Sequence, residues 1–81
     1  MHTEAKRQMA KLFNDRTHAA TIEKIYTELD GDNNAEVAYA AATNRHTPHE
    51  ILYGITIIWK HMPDIRTAAE GEMRRREDAK R

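Results

Sequence analysis

The chain has 81 residues and no cysteine, and its 13 basic and 13 acidic side chains cancel. That leaves room for one domain, excludes disulfides and thiolate metal sites, and supplies no net charge to steer the chain to nucleic acid or an acidic membrane. A chain this short buries only roughly 60–65% of its unfolded surface, and much of its 40% hydrophobic fraction is alanine, so a partner surface or a second copy in a homodimer is a natural complement to a thin core.

The first predicted helix covers about Thr3 to Asp15, with Met9, Leu12 and Phe13 at i, i+3, i+4. Asp15 to His18 reads as a break, and Thr17 is placed to cap the next helix. That second helix, His18 to Leu29, has the best helical period in the chain: Ile22, Ile25, Tyr26 and Leu29. Asp30-Gly31-Asp32-Asn33-Asn34 ends it. Gly31 suits a left-handed position, and Asn33 or Asn34 suits the next N-cap. The third helix, Asn34 to Asn44, carries Val37, Ala38, Ala41 and Ala42 on one side. Thr47-Pro48-His49-Glu50 predicts a sharp helix start, with Thr47 as N-cap, Pro48 at the first helical position and Glu50 closing a capping box. The fourth helix then runs to about His61 on Ile51, Ile55, Ile58, Trp59 and Met62, flanked by Leu52. Ile57 lies off that stripe, which predicts burial on more than one side.

Pro63 breaks the pattern. The expected division is a compact domain over 1–66 and a charged helical or frayed tail over 67–81. In the tail, Glu70–Arg74, Glu72–Arg76 and Glu77–Arg81 are i, i+4 pairs with the acid first, and Gly71 weakens the helix. No internal repeat is read. The fold class is therefore all-α, a single small domain of four to five short helices with a polar C-terminal tail. Its expected core is Ile22, Ile25, Leu29, Val37, Ile51, Ile55 and Trp59.

The residues that could carry chemistry are few. Asp30 to Ala35 begins like a calcium loop, but Ala35 and Ala41 stand where glycine and the bidentate glutamate are required. His46 and His49 are close, but a zinc site wants four ligands in a closed geometry. No phosphate-binding glycine loop or nucleophile triad is visible. The expectation is a non-enzyme with no catalytic, metal or cofactor residues. The basic side chains Arg74, Arg75, Arg76, Lys80 and Arg81 are diluted by acids and read as a solvated helical face. Residues 36–51 have a loose helix-turn-helix rhythm, but Ile51, Leu52 and Tyr53 are poor readers of base edges. The longest apolar cluster, Ile55-Thr56-Ile57-Ile58-Trp59, is too short to span a bilayer. With no apolar leader read at the start, a cytoplasmic location is expected.

Residues 9–45 resemble the Hha/YmoA/Cnu family of small helical, nucleoid-associated gene-expression modulators. Phe13, Thr17, Ile22-Glu23-Lys24-Ile25, Tyr26 and Ala41-Ala42-Thr43-Asn44-Arg45 carry the likeness, and Met62-Pro63 echoes a later hydrophobic–proline step. The chain departs from the family pattern at Thr43, where the family has an acid that contacts the silencer H-NS, and at Asn44, where it has histidine. The turn after Leu29 is also shorter. The resemblance implies a bacterial or phage protein that binds an H-NS-like silencer, touches nucleic acid indirectly and modulates transcription, with Lys24, Arg45, Arg16 and the Thr43 position at the contact. A second reading is a phage- or plasmid-type inhibitor that blocks a host protein through Tyr39, Tyr53 and any exposed part of Trp59, for which core packing is favoured, because aromatic anchors dominate interface energetics. A third is a small homodimeric DNA-binding regulator using the basic tail.

Overall fold

The computed structural model describes residues 2–80. Five helices form, all-α as the sequence predicts: α1 His2–Phe13, α2 Ala19–Glu28, α3 Ala35–Ala42, α4 His49–Ile58 and α5 Pro63–Ala79. α1, α3 and α5 lie side by side in one layer, α1 on α3 and α3 on α5. α2 and α4 form the other layer. Each packs on its own hairpin partner and on the next helix of the first layer, α2 on α1 and α3, α4 on α3 and α5. The result is a slab of 43 × 28 × 16 Å, its thin dimension being what two helices about 10 Å apart require.

This zigzag is an internal repeat, contrary to the expectation that there is none. α2 and α4 are offset by 30 residues, Ala19 to His49 and Glu28 to Ile58. The turns before them repeat bond for bond. Thr17 Oγ1 donates to Lys11 O at 2.6 Å, and Thr47 Oγ1 to Ala41 O at 2.6 Å. The side-chain oxygen of Asn14 accepts from Arg16 N at 2.9 Å, and that of Asn44 from His46 N at 2.9 Å. The backbone bonds from Thr17 to Asn14 and from Thr47 to Asn44 match as well. Ile22 and Leu52, and Ile25 and Ile55, are buried at equivalent places. The unit is a helical hairpin that cannot cover its own apolar face, so neighbours stack. The described residues hold two such hairpins, and α5 packs on the second as α3 packs on the first.

The repeat explains why α3 is built of alanine. It is the central helix of its layer, with α1 on one side and α5 on the other, and Ala40 and Ala41 are buried there. At the corresponding positions the outer helices carry the exposed Ala10 and Lys11 in α1 and Glu70 and Gly71 in α5.

Several local expectations are corrected. Neither Thr17 nor Thr47 caps the helix after it. The N-caps are His18 and Pro48, both without a side-chain cap bond, because each threonine hydroxyl is used backwards on a C-terminal carbonyl of the preceding helix. No capping box forms with Glu50. Asn34 does cap α3, accepting from Glu36 N and Val37 N at 3.1 and 3.4 Å. At the end of α2 the left-handed residue is Asp30 (φ 54) and not Gly31. Gly31 N donates to Tyr26 O and Asp30 N to Thr27 O, the paired bonds of a Schellman C-cap. Gly31 is required for a different reason: a Cβ there would collide with the Tyr26 ring.

The core also differs from expectation. Ile22, Ile25, Val37 and Ile55 are buried, whereas Leu29, Ile51 and Trp59 are only partly so. Leu12, Leu52, Ile65 and Ala69 join the core. α4 buries one side only. Leu52 and Ile55 face inward, and Ile57 and Ile58 are exposed. The division at residue 66 falls inside α5, which packs against α3 and α4 and buries Ile65, Ala69 and Glu72. Of the three expected ion pairs in that segment, Glu72–Arg76 forms at 3.0 Å. Glu77–Arg81 lies outside the described residues.

Candidate functional site

The layer of α1, α3 and α5 carries an open apolar groove of about 390 Å³. Met9 and Phe13 line it from α1, Ala35, Glu36 and Tyr39 from α3, and Met62, Asp64 and Ile65 from the start of α5. Phe13, Tyr39 and Met62 are 56%, 42% and 44% exposed, a large apolar investment at the surface of so small a core. The repeat accounts for two pairs of the lining residues. Met9 and Tyr39 are equivalent positions one unit apart, as are Ala35 and Ile65. Glu36 and Asp64 are the acidic residues of the first turns of α3 and α5. Both are exposed, and neither has an ion-pair partner among the described residues.

A second feature is the polar seam that ties consecutive units together. Asn44, buried in the α3–α4 turn, donates through Nδ2 to Leu12 O, in the last turn of α1, at 2.7 Å and to Asn14 O, which also accepts from Thr17 N, at 3.0 Å. From a position that is not equivalent to Asn44, Arg76 ties α5 to the α3–α4 turn, donating through Nη2 to Arg45 O at 2.8 Å and Thr47 O at 2.6 Å. The Arg76 guanidinium is held by Glu72, which is almost fully buried. Arg75 lies 3.2 Å from the other Glu72 oxygen, which has this charge beside it but no aligned hydrogen bond.

A third feature is the Tyr26 corner. Burial, and then the hydrogen bond to Asp32 Oδ1 at 3.0 Å, raise the Tyr26 phenol well above its usual range. The Trp59 indole N–H lies close enough to oppose that shift in part, yet makes no aligned hydrogen bond of its own. Asp30 and Asp32 border this corner, but among the described residues no three His, Cys, Asp or Glu side chains gather to hold a metal ion. No helix among the described residues is long and apolar enough to cross a membrane.

The six partner-contact candidates divide between surfaces. Tyr39 lines the groove. Arg16, Thr43 and Arg45 stand exposed on the two equivalent turns that Asn44 joins. Lys24 lies elsewhere, beside Gln8, Lys11, Thr21 and Glu28 in a polar depression between α1 and α2. Tyr53 is exposed on α4, outside the groove. Sequence reasoning missed Phe13, Met62, Glu36 and Asp64 as neighbours. The signal that would have found them is the Asn-x-x-Thr pair, Asn14/Thr17 and Asn44/Thr47, which sets the repeat. Comparison with known protein families, curated protein sequences and solved structures finds no match.

Proposed function

We propose that the chain is a non-enzymatic protein-binding module that docks its partner on the groove of α1, α3 and α5. The observation that supports this is the convergence of Phe13, Tyr39 and Met62, exposed and apolar, on one face of a stacked-hairpin scaffold. Stacked helical repeats offer such faces as extended binding surfaces. Binding there would modulate or block the partner by occupying its surface, as an inhibitor of a host protein does.

The H-NS-like silencer is a second reading for the same module, favoured by Arg16, Thr43 and Arg45 standing on adjoining turns. In that case the turns would carry basic side chains to the silencer–DNA filament. An NMR titration of labelled protein with the H-NS oligomerisation domain separates the two. Shifts centred on Arg16, Thr43 and Arg45 support the silencer reading. Shifts centred on Phe13 and Tyr39 put that domain in the groove. The absence of shifts at high excess rejects the silencer and leaves the groove for a different partner. A steep salt dependence of binding to bare DNA would instead support a DNA-binding regulator.

A further inference from the structure

We propose, resting on the groove as the docking face, that its occupant is a short amphipathic helical segment of a partner protein, with lysine or arginine flanking its apolar stripe. The groove is apolar along its floor, through Met9, Ala35 and Ile65, and presents an aromatic edge at Phe13 and Tyr39. The charged side chains that line it, Glu36 and Asp64, are both acidic. Each stands in the first turn of its own helix, and each lacks a cation among the described residues. An acidic partner would meet two like charges, whereas a basic flank meets two free carboxylates, and such complementarity sets specificity and encounter rate more than raw affinity. A helix presenting apolar residues at i, i+3, i+4 and i+7 would lay one apolar face on the groove that α1, α3 and α5 line. The unbranched Met9 and Met62 side chains can adjust to different apolar residues.

The test is selection of a random peptide library displayed on phage against the full chain, with counter-selection on the variant Phe13→Asp/Tyr39→Asp. Both positions are exposed, so the variant keeps its core, and its helical circular dichroism is checked first. The expected result is enrichment of peptides with helical apolar spacing and flanking Lys or Arg. Synthetic copies of these peptides should lose about fivefold or more in affinity for Glu36→Gln/Asp64→Asn, the combined size of two exposed charge contacts. Enriched peptides without basic flanks, or affinity unchanged in Glu36→Gln/Asp64→Asn, would overturn the charge inference and leave the groove reading standing. Failure to enrich anything over the Asp variant would overturn both. Concentration-dependent self-association abolished by Phe13→Asp would put a second copy in the groove and overturn the proposed occupant.

Discussion

Glycine at 31 and glycine at 71 have opposite roles, and the difference is a matter of what lies above the α-carbon. The Tyr26 ring rests on Gly31, so Gly31→Ala must displace a ring that is itself buried and bonded to Asp32. Overpacking of this kind costs about 1–3 kcal/mol. Nothing stands within 4 Å of a Cβ on Gly71, inside α5, and Gly71→Ala should gain about 0.5–1 kcal/mol from helix propensity and lost unfolded-state freedom. Urea unfolding of the two variants should move the midpoint in opposite directions. Equal shifts would mean the Tyr26 ring does not depend on that close approach. The same ring makes stability depend on alkaline pH. The folded phenol lies above the ordinary value of 10.0, so its contribution is complete below about pH 10 and is lost as pH rises toward the folded value. Tyr26→Phe should remove that part of the alkaline decline. Identical decline in the variant would exclude Tyr26 as its source.

At the scale of helices, the sequence displays its periods clearly and its junctions poorly. Ile22, Ile25 and Tyr26 in α2 announce their face, because an amphipathic stripe is a local property. Thr17 and Thr47 do not announce their direction. A threonine ahead of a helix can cap forward or donate backward, and the choice depends on which carbonyls the preceding helix leaves open. The repeat stayed hidden because few residues are shared by the two units: Ala5/Ala35, Ala10/Ala40, Asn14/Asn44, Thr17/Thr47 and Ile25/Ile55. Exposed positions are free to differ, and alanine matches alanine by chance. The groove was illegible for a related reason, since Phe13 and Met62 come together only once α1 and α5 are known to share a layer. The repeat then permits a comparison within one molecule. Asn14 and Asn44 hold the same turn, but among the described residues only Asn44 clasps the preceding unit, through Leu12 O and Asn14 O. Asn44→Ala should cost about 2–3 kcal/mol, from one buried bond, one part-buried bond and one turn bond, while Asn14→Ala, exposed and holding only Arg16 N, should cost about 0.5–1 kcal/mol. Thermal or urea melts of the pair decide the matter, and equal costs would mean the seam does not couple the units.

At the scale of the whole slab, stability is a sum over hairpins and the seams between them, as in any stack that contacts only its neighbours. The seams are unequal. Between the second hairpin and α5, the clasp is a guanidinium braced by the buried Glu72, and α5, 17 residues long, packs on both α3 and α4. Between the first hairpin and the second, the clasp is the neutral Asn44, and among its described side chains α1 has only Leu12 fully buried. The α1–α2 hairpin should therefore open before the rest. Native-state hydrogen exchange should show its amides exchanging through a sub-global opening of lower free energy than those of α3, α4 and α5. Asn44→Ala should lower protection in α1 and α2 while leaving α4 and α5 nearly unchanged. Protection falling equally everywhere would mean a single cooperative unit. On the proposed docking, binding would be tied to this opening through Met9 and Phe13. They belong to the hairpin expected to open first, and they form one wall of the groove, so a partner seated against Tyr39 and Met62 would close that wall upon itself and raise protection in α1 and α2 above the level of the free protein.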